Sequence, residues 1–249
     1  MAAESLFSTS PADAAKFYGS INFDKLPPKM RPDILYKSAW AVAQAGNREM
    51  AAKLLTTFID GYPRDPRICE ALTLRGDMYA KTKKETEALQ DFDRVIARWP
   101  KEESAAAAWQ RAAQIYAGRQ DLVNMAKYYE GLIKNFPKAS PAALAEAHFL
   151  LGRAAFDQGD FQSSISHMSE AKTLDPQKYG EQVNVLTVLS YHKLQDVNKL
   201  KEALETLQKE NPAAVSRVPD VIPAWLGLQA YGMKDLETAD KYMTWATQN

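Results

Sequence analysis

Proline recurs along this chain at nearly constant intervals, each time just after a run of residues with helical spacing. The closing prolines are separated by 36 to 39 residues and are Pro27, Pro63, Pro100, Pro137, Pro176 and Pro212. Proline ends helices because it lacks an amide donor and disfavours helical geometry in the residue before it. Two helices and two turns fill a period of this size, so the spacing predicts an array of helical hairpins.

A turn signal divides each proline-bounded segment into two helices. The central dipeptides are Gly46-Asn47, Lys83-Lys84, Gln120-Asp121, Gly159-Asp160, Gln195-Asp196 and Lys234-Asp235. Gly159 can end a helix in a left-handed conformation, and Asp160 can cap the next helix. The first helices are therefore predicted to end near residues 45, 82, 118, 158, 194 and 233.

In three segments the second helix carries a small residue, alanine, at an equivalent early position, and in five segments the position four residues later holds a large apolar residue. Ala51, Ala88 and Ala239 occupy the small position, and Leu200 replaces it in the fifth segment. The large position holds Leu55, Phe92, Tyr129, Met168 and Leu204. Residues four apart lie on one helical face, so this face of the second helix is predicted to pack on the first helix. Ala88 of a second helix and Gly152 of a first helix are predicted to be buried where the two helices cross closely.

These fragments resemble the tetratricopeptide repeat (TPR) family, whose pattern runs Trp-x2-Leu-Gly-x2-Tyr, then Ala-x3-Phe, then Pro. The matching residues are Gly76, Tyr79, Ala88, Phe92 and Pro100; Trp109, Tyr116 and Pro137; Leu151, Gly152 and Pro176; and Leu226, Gly227 and Ala239. The resemblance implies an all-α, right-handed α-solenoid of about six helix-turn-helix repeats. Their expected bounds are about 29–63, 64–100, 101–137, 138–176, 177–212 and 213–249.

The ends and turns of the array carry further expectations. Residues 1–28 are interpreted as a partial N-terminal repeat or cap, with a short helix over 11–20. The residues beyond the roughly 34 typical of the family are assigned to the inter-repeat turns RDPR, KEES, KASP and DPQKYGEQ. Turns of this kind resemble bacterial envelope-associated TPR proteins. The chain is expected to be a fragment of a longer array.

Composition narrows the classes of function. The 31 basic and 31 acidic residues cancel, so bulk charge does not favour nucleic acid or an anionic membrane. No apolar run approaches the roughly 18 residues of a membrane span, and direct membrane insertion is not expected. One cysteine, Cys69, excludes an intramolecular disulfide. Both the cytoplasm and the bacterial periplasm or envelope remain open, as does the oligomeric state.

Candidate catalytic and metal-binding residues are few. His148, His167 and His192 lack the spacing of three or four that places two ligands on one helical face. Cys69 has no CxxC partner, and neither a Gly-rich phosphate loop nor a Gly-x-Ser-x-Gly turn occurs. We therefore expect no catalytic residues, no metal and no cofactor, and interpret the chain as a non-enzyme.

A second stripe on each first helix carries the candidate partner-binding residues. It lies about 100° around the helix from the packing stripe. From the first repeat to the sixth it comprises Tyr36, Trp40 and Ala43; Thr73, Asp77 and Ala80; Gln110, Gln114 and Ala117; Phe149, Arg153 and Phe156; Val185, Leu189 and His192; and Ala224, Leu228 and Tyr231. The alternative is that members such as Phe156 and Leu189 pack against the neighbouring repeat.

The family resemblance implies that this stripe lines a concave, partner-binding groove. Tyr36, Trp40, Phe149 and Arg153 are the predicted binding residues, because aromatic residues and arginine dominate interface hot spots. Asp77, Gln114 and Arg153 stand where chaperone-binding relatives carry asparagines and lysines, so a chaperone adaptor is not expected. The predicted function is a non-enzymatic scaffold that binds a protein or peptide. The alternative is a structural or regulatory TPR module of a larger multidomain protein whose activity lies elsewhere.

The register of the second helices can be tested directly. Ala88→Leu should overpack the predicted helix crossing and lower the free energy of unfolding by about 1–3 kcal/mol. The measurement is chemical denaturation followed by circular dichroism. A variant that unfolds at the same denaturant concentration as the parent would show that the assigned register is wrong.

Overall fold

The computed structural model describes residues 10–248, which contain thirteen α-helices and no strand. The helices are α1 Pro11–Gly19, α2 Arg31–Gln44, α3 Arg48–Gly61, α4 Ile68–Lys81, α5 Glu85–Arg98, α6 Glu103–Gly118, α7 Leu122–Asn135, α8 Pro141–Asp157, α9 Phe161–Leu174, α10 Pro176–Lys193, α11 Val197–Glu210, α12 Val221–Gly232 and α13 Leu236–Gln248. Two 3-10 segments, η1 Phe23–Lys25 and η2 Pro212–Arg217, lie between helices.

The proline period and the central turns delimit the helices as predicted. The six first helices are α2, α4, α6, α8, α10 and α12, and each ends within one residue of its predicted end. From Pro63 to Pro212, each closing proline stands two residues after the last residue of a second helix. The predicted all-α fold of about six helix-turn-helix repeats is confirmed.

The helices form two compact units, residues 1–136 and 137–249. The division falls at Pro137, one of the closing prolines, and each unit contains three of the hairpins. In the first unit, α1 also packs on α2 through a small cluster of Ala14, Tyr18 and Ala41. The predicted N-terminal helix is therefore present as α1, whereas residues 1–9 of the expected N-terminal segment lie outside the described residues.

All six hairpin turns place their first residue in the left-handed region. The positive φ angles run from 56° to 85° and belong to Gly46, Lys83, Gln120, Gly159, Gln195 and Lys234. The amide that follows closes a six-residue turn, as in Asp160 N to Ala155 O at 2.9 Å. The side chains of Asn47, Asp121, Asp160, Asp196 and Asp235 then cap the next helix by accepting an amide hydrogen bond. Each hairpin thus reverses by the same backbone geometry.

The predicted helix crossing forms the core of each hairpin. Ala51 and Ala88 are fully buried at the small position, and all five residues of the large position have 0% exposure. Gly152 is also buried, and a Cβ added there would lie 3.1 Å from the Cβ of His167. In the fifth repeat Leu200 occupies the small position and is itself completely buried. The crossing therefore tolerates a larger side chain in that hairpin.

The assignment of the additional residues to inter-repeat turns is wrong for the fifth repeat. Most of the segment DPQKYGEQ lies inside α10, which begins at Pro176 and is 18 residues long. Proline is favourable at the first helical position because its missing amide needs no partner there. Asp175 ends α9 and also caps α10 through the amide of Lys178. The inserted residues therefore lengthen a first helix instead of a turn.

Two glycines of the second unit allow the effect of backbone strain on stability to be measured apart from that of packing. A Cβ added at either Gly159 or Gly180 would meet no atom within 4 Å, but only Gly159 has a positive φ, of 83°. Gly159→Ala should lower the free energy of unfolding by about 1–2 kcal/mol because the left-handed conformation disfavours a Cβ. Gly180 lies inside α10, so Gly180→Ala should raise the free energy of unfolding by up to about 1 kcal/mol. Denaturation that gives both variants the same sign would contradict this account.

Candidate functional site

The four predicted binding residues fall into both units. Tyr36 and Trp40 lie on α2 in the first unit, and Phe149 and Arg153 lie on α8 in the second. Three of them are partly buried and Arg153 is exposed, so none is completely enclosed between repeats. Each pair is described within its own unit, and their predicted membership of one continuous groove stays a prediction.

Tyr36 is part of a polar cluster that joins the first two repeats. Its hydroxyl donates to Glu70 Oε2 at 2.8 Å, and the guanidinium of Arg67 lies 4.9 Å from its ring centre. Arg67 in turn donates to Asp65 and to Asp33, each at 2.9 Å. Burial and the Glu70 hydrogen bond raise the pKa of Tyr36 above its ordinary value of 10.0. Tyr36 is therefore engaged in repeat-to-repeat packing.

The stripe also joins the second and third repeats of the first unit. Asp77, the equivalent of Trp40, forms an ion pair with Arg111 on α6 at 3.2 Å. Burial raises the pKa of Asp77, while the Arg111 charge acts in the opposite direction. The carboxylate is thus oriented towards the next first helix.

In the second unit, the stripe borders an open groove of about 350 Å³. The groove lies between α8, α10 and η2, and its lining includes Phe149, Arg153, Phe156, Asp157, Leu186 and Arg217. Phe149 stacks on Tyr179 of α10 with ring centres 4.7 Å apart, which fixes one wall. Phe156 contacts Phe161 edge-on at 5.4 Å and forms another wall. The result is an aromatic-sided groove between two first helices.

Arg153 is the available cation of this groove. Its side chain has no hydrogen bond or ion pair among residues 10–248, although Asp157 lies one turn further along α8. Arg217, the other arginine of the lining, is instead engaged by Glu181. An arginine presents several donors in a planar fork that fits carboxylates and carbonyl groups. Arg153 can therefore receive an acceptor from a bound chain.

The alternative role of the stripe, packing against the neighbouring repeat, is also present. Four of its members contact the following first helix, in the pairs Tyr36–Glu70, Asp77–Arg111, Phe149–Tyr179 and His192–Trp225. Leu189, which the alternative named, packs against the buried core of the last two repeats. The stripe thus provides inter-repeat contacts as well as groove walls.

Two further grooves lie along second helices, one in each unit. The first, of about 410 Å³, is lined by residues of α3 and α4 such as Thr56 and Tyr79. The other, of about 260 Å³, lies between α9, α10 and α11. Its Lys172 is already bound to Glu210 at 2.7 Å and to Asn184 at 2.8 Å. Because that lysine is already paired within the fold, it is less available than Arg153 to bind an acceptor group of a partner.

The structure brings together two histidines that the sequence analysis kept apart. His148 Nδ1 and His167 Nδ1 are 3.0 Å apart across the α8–α9 crossing, close to Gly152. Burial, followed by the His167 charge, lowers the pKa of His148. His148 precedes Gly152 by one helical turn, so the predicted crossing at Gly152 was the signal that could have revealed this pair. Among the described residues, no group of three or more potential ligands could hold a metal ion.

Comparison with known families decides the identity of the repeats. Three models described as tetratricopeptide repeats match residues 36–103, 107–139 and 145–178, together just over half of the chain. The chain belongs to the tetratricopeptide repeat family. TPR proteins are in general non-enzymatic scaffolds that bind protein partners. No curated protein is significantly similar to the chain in sequence.

Solved TPR structures share the fold at low sequence identity. The C-terminal part of a TPR repeat-containing protein from Cytophaga hutchinsonii is 14% identical with a TM-score of 0.65, covering 96% of this chain and 91% of its own. A TPR protein from Parabacteroides merdae is 12% identical with a TM-score of 0.57, covering 98% and 89%. MamA from Desulfovibrio magneticus RS-1 is 18% identical with a TM-score of 0.52, covering 72% and 97%. Within residues 10–248, no helix is both long and apolar enough to cross a membrane.

Tyr36 and Arg153 should differ in their contribution to stability. Tyr36→Phe removes the hydrogen bond to Glu70 and should lower the free energy of unfolding by about 1 kcal/mol. Arg153→Ala removes no hydrogen bond or ion pair within residues 10–248 and should change the free energy of unfolding by less than about 0.5 kcal/mol. Urea denaturation of both variants is the measurement. A large loss of stability in Arg153→Ala would place Arg153 in the packing of the fold.

Proposed function

We propose that this TPR chain is a non-enzymatic scaffold that binds a peptide or partner domain along its first helices. The groove between α8, α10 and η2 is the proposed centre of binding. The observation that carries the proposal is an exposed Arg153, with no hydrogen bond or ion pair within residues 10–248, between the aromatic rings of Phe149 and Phe156. Aromatic residues and arginine are the residue types that contribute most to interface hot spots.

The lining determines what kind of segment would fit. An apolar side chain of the ligand would cover the exposed parts of Phe149 and Phe156 and displace water from them. A carboxylate or a backbone carbonyl close to that side chain would accept hydrogen bonds from Arg153. The groove is open at the surface, which suits a peptide or a protruding loop better than a small enclosed ligand.

Binding can be tested without knowing the natural partner. A random peptide library displayed on phage is selected on the wild-type chain, and the selected peptide is titrated by fluorescence anisotropy. Arg153→Ala and Phe156→Ala should each weaken binding by about 2 kcal/mol, roughly 30-fold in Kd. Trp40→Ala tests separately whether the first unit contributes to the same ligand.

The control is Lys209→Ala, which makes the same change of charge on an exposed position of the second helix α11. This variant should bind the peptide with wild-type affinity. Circular dichroism should report unchanged helicity for every variant. Equal affinity of the wild type and Arg153→Ala would reject this groove and direct attention to the second-helix grooves.

A further inference from the structure

The first helix of the last repeat, α12, exposes an apolar seam. Val221, Ala224, Leu228 and Tyr231 follow one another at intervals of three, four and three residues, which places them on one face of the helix. Val221, Leu228 and Tyr231 are 63%, 57% and 67% exposed. Met233, in the turn that follows, and Leu236, the first residue of α13, are also exposed. Contiguous exposed apolar surface of this kind marks an interaction site.

The preceding repeats indicate what this seam is shaped to contact. In both units, the equivalent stripe of a first helix contacts another first helix, as His192 of α10 does with Trp225 of α12 at 5.4 Å between ring centres. Phe149 of α8 and Tyr179 of α10 repeat the arrangement at 4.7 Å. The α12 seam continues this series of surfaces, and a helix is therefore the element that fits it.

The charges at the two ends of α12 favour a second copy of this same helix as the contacting element. The segment from Val221 to Met233 contains no charged residue, so two copies of it can approach each other without repulsion. Asp220 precedes the seam and Lys234 follows it. Neither of these side chains has an ion-pair partner in the described part of the chain. An antiparallel pair of α12 helices would bring Asp220 of each copy to Lys234 of the other.

We propose that the α12 seam is a self-association surface on which two copies of this chain pair antiparallel about a two-fold axis. A two-fold interface uses the same patch on both copies and requires it to be self-complementary. The apolar seam and the opposite charges at its ends meet that requirement. This surface is separate from the proposed peptide groove, so either proposal can fail alone.

Sedimentation equilibrium of the full chain tests the pairing. The wild type should be in reversible monomer–dimer equilibrium at micromolar to millimolar concentration. Leu228→Glu and Tyr231→Glu should each raise the dimer Kd at least about tenfold, because a charge would be buried in the seam. Both positions are exposed, so the fold should persist. Val123→Glu, at a 78% exposed position of α7, is the matched control and should leave the equilibrium unchanged.

A charge exchange tests the antiparallel arrangement. Asp220→Lys alone or Lys234→Glu alone should weaken the dimer at least about threefold, because each places like charges at both ends of the interface. The double variant Asp220→Lys/Lys234→Glu restores opposite charges and should recover wild-type association. A wild type that stays monomeric at millimolar concentration would overturn the proposal. So would a dimer that tolerates Leu228→Glu, or a double variant that remains weakened.

Discussion

Close crossing of the two helices in each hairpin is the constraint on which the structure depends. In several hairpins a small residue near the start of the second helix, such as Ala51 or Ala88, allows this approach, and a large side chain one turn later fills the space against the first helix. Phe92 and Met168 occupy that large position and are completely buried. One hairpin encloses only part of this apolar surface, so neighbouring hairpins must cover the rest. Repetition is therefore a condition for stability as well as a pattern in the sequence.

The turns hold the two helices of each hairpin in register, although their backbone conformation is unfavourable in free energy. Four of the turns place a residue other than glycine in the left-handed region, namely Lys83, Gln120, Gln195 and Lys234. This conformation is unfavourable by about 1 kcal/mol or more for a residue that carries a Cβ. In most of these turns the next residue caps the following helix and recovers part of that free energy. Backbone geometry is thus the same in all six turns even where glycine is absent.

The stripe on the first helices has two roles that compete for the same side chains. A stripe residue that contacts the next first helix stabilises the array and is less available to a ligand. Tyr36, which donates a hydrogen bond to Glu70, is an example. Where the described part of the chain supplies no such partner, as at Arg153 and Leu228, the side chain remains on the surface. Binding capacity in this protein is therefore expected at the stripe positions that inter-repeat packing leaves open.

The all-α class, the number of hairpins, their helix ends and the buried crossing positions could all be predicted from the sequence. These depend on local chemistry, namely proline, capping side chains and helical period, which the chain carries within a few residues. Tertiary contacts decided that Tyr36 is engaged by Glu70 and Arg67 and that His148 meets His167. The extension of α10 over the inserted residues rests on local chemistry, because Pro176 is favourable at the first helical position and Asp175 caps the helix, and the sequence analysis missed that signal. The stripe could be assigned from its spacing, but the engagement of each member could not. Which side chain takes which partner depends on contacts between residues 19 to 34 positions apart, and no local pattern specifies those choices.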